Sequence, residues 1–170
     1  MQSKIQINQR RRRKSGGNTV LETAFTFLPL MAIIFGITDF GLMLYRWTTL
    51  ENAVRQGSRY AVTFQTDSSG HQNTSIEDQV TTYGMGLVHT SDNPQTIFVN
   101  YYNPTTFALI SSNGNQPGNI VQVSVQGVSF SWIAPLAGNY GLRNTNAFTI
   151  NCYSSAILGA YPAGTSSVPE

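Results

Sequence analysis

Cysteine is almost absent from this 170-residue chain, with Cys152 standing alone. A single thiol excludes an intrachain disulfide, so any domain the chain builds is held by packing. In the run Phe148 to Cys152, alternation puts Phe148, Ile150 and Cys152 on one face, which marks Cys152 as a small core residue. Histidine is limited to His71 and His89, and neither has a partner at metal-ligand spacing. Glu77 and Asp78 are adjacent, but neighbours on a helix point apart, so they do not form a paired-carboxylate site. A phosphate-cradling glycine loop and a nucleophile elbow are also missing. The chain is therefore expected to be no enzyme, with no catalytic residue, metal site or cofactor.

Charge is scarce as well, at 11% of residues, and what there is lies unevenly. Of ten Lys and Arg, six precede Gly17: Lys4, Arg10, Arg11, Arg12, Arg13 and Lys14. All eight acids follow Gly17. A chain trimmed of residues 1–17 would keep four cations against eight acids, a net charge of −4 in place of +2. Past Trp47 the sequence is poor in cations and rich in Asn, Gln, Ser and Thr, which argues against nucleic acid as a partner.

What the sequence does have is a long apolar run directly after the basic cluster. Thr23 to Tyr45 would be a helix of about 35 Å, enough to cross a bilayer core with some tilt. Tyr45 and Trp47 flank Arg46 at its far end, as an interfacial belt requires, and the cations of residues 10–14 set topology by staying on the cytoplasmic side. The span is thus placed at about residues 23–46, with Pro29 inside its first turns bending the helix and freeing a carbonyl. The run is too long for a cleaved secretory signal, and no small-residue cleavage site follows it.

Helical periodicity continues beyond the apolar run. Leu50, Ala53, Val54, Gly57, Tyr60 and Ala61 recur at spacings of three and four, with Glu51 and Arg55 on the surface in the favourable order. Three parts follow: a basic leader at 1–17, a long helix at 18–63, and an exported β-rich domain at 64–170. Within the last, residues 66–75 read as a polar loop and Ile76–Val88 as a short helix weakened by Gly84 and Gly86. Strands are expected at Thr96–Tyr102, Thr106–Ile110, Ile120–Trp132 and Ala147–Tyr153. Val121, Val123 and Val125 share a face, and after Gly127 the phase shifts to Val128, Phe130 and Trp132, which predicts a bulge. The fold class is α+β: one long helix packed at its exported end on a small antiparallel sheet.

The segment Gly17-Asn18-Thr19-Val20-Leu21-Glu22 resembles the processing site of type IV pilin-like proteins, whose short basic leader ends in glycine before a helix with an early glutamate. More specifically, residues 20–63 resemble the TadE-like family of minor pilins, or pseudopilins, of the tight-adherence (Flp) pilus system. The matching features are Glu22, Pro29, the run Gly36-Ile37-Thr38-Asp39-Phe40-Gly41, and Ala53 to Ala61. The resemblance covers about 45 residues, and the C-terminal part is similar only loosely.

The resemblance implies cleavage between Gly17 and Asn18 by a prepilin peptidase. It also implies assembly with other pilin subunits and inner-membrane platform proteins, and adhesion as the downstream result. Location would be the bacterial inner membrane, single-pass, N-terminus cytoplasmic, with the C-terminal domain periplasmic or carried outside in a filament. The residues themselves point the same way. Glu22 lies at a helix start, where the macrodipole favours a carboxylate, and near a membrane edge, where a charge needs a partner. Asp39 sits past the middle of the span, where an exposed aspartate costs at least ~2.5–3.5 kcal/mol; a contact with another helix is expected there, with Gly36 and Gly41 admitting a second backbone. The alternative reading is an inner-membrane-anchored periplasmic binding module that never polymerises.

Overall fold

A computed structural model of the chain describes residues 16–66, 70–130, 148–165 and 167–170. The five cations at 10–14 and most of the expected leader lie outside the described residues, as does Trp132.

One helix dominates. α1 runs unbroken from Gly16 to Val62, through Pro29. Its two halves meet different surroundings. From Thr19 to Leu30 every described side chain is exposed, as are most of those between Ile33 and Gly41. From Leu50 onward a stripe of Leu50, Ala53, Val54 and Ala61 is fully buried. This is the stripe that the three-and-four spacing predicts, and it forms the floor of the domain core. On the flank of the stripe Glu51 and Arg55 form the i,i+4 ion pair.

α2 spans Gln72–Tyr83. It begins four residues earlier than the sequence expectation, inside the stretch read as polar loop. Gln72 does not act as a solvated loop residue there. Its amide nitrogen donates to the Ala61 carbonyl at 2.9 Å, and its carbonyl oxygen accepts from Asn115 at 3.0 Å. α2 ends at Gly84, short of the expected Val88. The Gly84 N–H closes on the Val80 carbonyl at 2.8 Å, and a Cβ at Gly84 would lie 2.9 Å from both that oxygen and Val88 Cγ2.

The sheet comprises β1 (Ile97–Tyr102), β2 (Leu109–Ile110), β3 (Ile120–Phe130) and β4 (Phe148–Ile157). The spatial order is β2-β1-β3-β4, with every pairing antiparallel. The α+β architecture is as expected, with boundary differences at β2 and β4. β2 is only two residues long, because Asn103 Oδ1 accepts from the N–H groups of Thr105 and Thr106 and turns that stretch into a tight loop. β4 continues past Tyr153 to Ile157, its last residues pairing with Ile120 to Val123. β3 is described to Phe130.

The phase shift in β3 is a bulge. Its register against β4 slips between Val125 and Val128, and Gly127 takes φ +76°, a conformation that glycine adopts without a Cβ penalty. The Gly127 N–H reaches across to Asn151 Oδ1 at 2.8 Å. Before the bulge Val121, Val123 and Val125 face the helices, and all three are fully buried with Ile76, Val80 and Ile97. Cys152 and Ile150 are buried in the same core, as alternation predicts, while Phe148 at the strand's start is exposed. Burial followed by the nearby Glu51 charge pushes the Cys152 thiol pKa up, which keeps it in the unreactive form.

Gly57 explains how the layers come so close. A Cβ there would lie 2.6 Å from Val80 Cγ2 and 3.3 Å from Val123 Cγ1. α2 and β3 therefore both rest on bare α1 backbone at this point. Higher up, the segment after β4 returns to the helix end. Gly159 donates to the Val62 carbonyl, Tyr161 packs its ring on Phe64 at 4.6 Å, and Asn115 Nδ2 donates to the Val168 carbonyl at 2.7 Å. Both carboxylate oxygens of Glu170 accept backbone N–H bonds, from Asn113 and Gly114, at 2.7 Å each.

Candidate functional site

The candidate site is the half of α1 that the domain leaves bare. Phe25 is 80% exposed and Ile37 69%, with Val20, Leu21, Leu28, Ile33 and Phe40 also open. The helix is long and apolar enough to cross a membrane, with a mean hydropathy of 2.0 over its most apolar stretch. Its hydroxyls are dealt with locally. Thr23, Thr26 and Thr38 donate to the carbonyls of Thr19, Glu22 and Ile34, each four residues back. Each hydroxyl proton is thus satisfied within the helix, as an apolar surrounding demands.

Of the residues singled out in the sequence, Gly17, Asn18, Glu22, Pro29, Gly36, Asp39 and Gly41 all fall on α1. They do not converge on one point; they are strung along the helix. Glu22 is exposed and lies in the second turn, the first turn of α1 holding no acid. The helix macrodipole therefore acts only weakly on Glu22, since the effect fades beyond the first turn. Gly36 and Gly41 have open space where a Cβ would be. Pro29 cannot donate to the Phe25 carbonyl, which leaves that acceptor facing the bare side of the helix.

Asp39 differs from all its neighbours. It is 1% exposed, while Thr38 and Phe40 on either side are open. It is enclosed by its own chain and engaged in an interaction there.

Just above Asp39, described residues of the domain touch α1. Met43 and Trp47 share a groove with Phe148, Thr149, Ile150 and Asn151. Arg46 stacks its guanidinium 5.1 Å from the Phe130 ring centroid, and the Tyr45 hydroxyl reaches Met85 Sδ at 3.7 Å. The span expected at 23–46 therefore overlaps at its upper end with residues the domain already holds. Sequence reading missed these contacts because they join residues as far apart as Arg46 and Phe130. The only signal available was the Tyr45-Arg46-Trp47 cluster itself.

Elsewhere the titratable groups are dispersed. Among the described residues, no three of His, Cys, Asp and Glu are grouped to hold a metal ion. Asp92 accepts from the His89 N–H at 2.8 Å and from Thr96 Oγ1 at 2.9 Å, and these bonds, the His89 one foremost, hold its pKa below the usual carboxylate range. Glu77 is pushed upward by burial and then by neighbouring Asp78. The Tyr101 phenol is pushed upward by burial, with the Glu170 charge second, and donates to Asn73 Oδ1 at 2.6 Å. These bonds brace the domain.

No curated protein and no solved structure matches the chain. The family comparison finds a match on the helix, starting at the glycine before the expected cleavage point and ending in the buried stripe. The bare half of α1 and the start of its packed half are TadE-like: residues 17–59 match the family described as TadE-like protein.

Proposed function

We propose that this chain is a TadE-like minor pilin, or pseudopilin, that works in the assembly of a tight-adherence (Flp) pilus or a related secretion filament. The observation that carries this reading is the family match over residues 17–59 falling on a helix whose first half is bare. A helix with apolar side chains open on nearly all sides is built for lipid or for other helices, not for its own domain. On this reading the chain is inserted with its N-terminus in the cytoplasm, and a prepilin peptidase cuts between Gly17 and Asn18. The new Asn18 amine and Glu22 then supply opposite charges at the membrane edge, where pairing between subunits offsets the cost of each. Other pilin subunits and the inner-membrane platform are the partners, and surface attachment is the consequence.

Intact-mass measurement on membrane and filament fractions tests the proposal. The expected result is a chain beginning at Asn18 when the peptidase is present. A Glu22→Ala chain should insert into the membrane as well as wild type but be lost from filaments. If wild type never enters a filament fraction, the non-polymerising anchored module is the correct reading instead.

A further inference from the structure

We infer that the exported domain sits directly on the bilayer, with a foot built from Tyr45, Arg46, Trp47, Met85 and Phe148 embedded in the lipid headgroup layer. The inference goes beyond pilus assembly and rests only on α1 crossing the membrane.

Distance along the helix carries the argument. From Glu22 to Met43 the rise is about 32 Å at about 1.5 Å per residue. A bilayer's hydrocarbon core is about 30 Å thick. Keeping the Glu22 carboxylate out of hydrocarbon on one side therefore brings Met43 to the opposite interface with almost no slack. Any tilt of α1 draws it deeper. Described residues of the domain lie at that level, since Met43 and Trp47 line a groove with Phe148 to Asn151. No linker separates span from domain, because α1 is continuous to Val62.

The side chains at this level are those an interface selects. Met85, at the tip of the turn after α2, is 69% exposed and lies against Tyr45. Trp47 and Phe148 are 47% and 44% exposed, and share one groove. Such apolar exposure is unexplained in water but continues directly from the bare half of α1. Between them Arg46 makes no salt bridge among the described residues, and its guanidinium borders an open groove beside Phe130. A cation flanked by Tyr and Trp at this height meets lipid phosphate. Asp39, about 6 Å below Met43 along the helix, is 1% exposed, so the chain itself shields the one acid that would otherwise enter hydrocarbon.

Spin-label depth measurement on the full chain in nanodiscs of phosphatidylethanolamine and phosphatidylglycerol tests this. In a Cys152→Ala background, nitroxide labels are placed by Met85→Cys and Phe148→Cys. Phe107→Cys serves as an aqueous reference, since Phe107 is exposed in the loop after β1, whose start pairs near the bulge and whose end lies away from it. Ile33→Cys serves as a reference within the span. The expected result is a several-fold lower accessibility to an aqueous nickel chelate at positions 85 and 148 than at 107, with access to dissolved oxygen retained. Equal nickel access at 85, 148 and 107 overturns the inference. Protection from both reagents also overturns it, because a second protein surface would then cover the foot. Failure of α1 to span would be seen separately, as nickel access at position 33. Quenching of Trp47 by lipids brominated near the headgroup, in a Trp132→Phe chain that keeps Cys152, gives the same answer without cysteine changes. Absence of that quenching counts against the foot.

Discussion

The two halves of α1 have nearly the same backbone and opposite chemistry. The lower half carries Phe25, Phe27, Leu28, Ile33 and Ile37 outward, and all five stand exposed. The upper half places Ala53, Gly57 and Ala61 where α2 and β3 press closest. The difference shows that apolar character alone does not mark a core. Large side chains on all faces announce an outside made of lipid or other helices. Small residues at helical spacing on one face announce an inside built by the same chain.

The sharpest way to break this comparison is to enlarge a glycine in each half. Gly57→Leu should cost about 3 kcal/mol in chemical unfolding followed by near-UV circular dichroism, because Val80 and Val123 leave no room for the added atoms. Next in size is Gln72→Ala, which removes two hydrogen bonds of a buried network, one from the Asn115 amide and one to the Ala61 carbonyl; about 2 kcal/mol is expected in the same assay.

Smaller still is Asp92→Asn, which should cost about 1 kcal/mol or less near neutral pH, since the site is part-exposed. The sign follows from a folded-state pKa held low. The stabilisation is fully present above the ordinary carboxylate range and is lost as pH falls through the lowered value. The gap between wild type and Asp92→Asn should therefore close on acidification. The smallest effect belongs to the lower half. Gly36→Ala meets nothing within 4 Å and should leave domain unfolding unchanged, with helix propensity gaining by less than about 1 kcal/mol. A loss of domain stability at Gly36 comparable to that at Gly57 would erase the distinction between the halves.

Much of the fold was legible because its signals are local. The α1 stripe, the valine alternation of β3 and the Gly127 phase shift are each written within a dozen or so residues. The errors fell where distant groups decide. α2 starts at Gln72 because Ala61 and Asn115 capture that side chain, and nothing in the neighbouring polar residues signals it. β4 runs on to Ile157 because Ser155 and Ala156 find partners on β3, although their local sequence is weak strand. Among candidate site residues, Glu22, Gly36 and Gly41 were readable as oddities in an apolar run. The enclosure of Asp39 was not.

By itself the sequence determined that a basic segment precedes an apolar helix, that the helix continues into an amphipathic half, and that an antiparallel sheet follows. Charge order and hydrophobic period need no third dimension to be read. Only the tertiary structure decided where the bare helix ends and the domain begins, with Met43 to Trp47 held against β4, Phe130 and Met85. It also decided that Asp39 is sheltered by its own chain. Burial of a helix face depends on which distant segment returns to cover it, and no local period encodes that return.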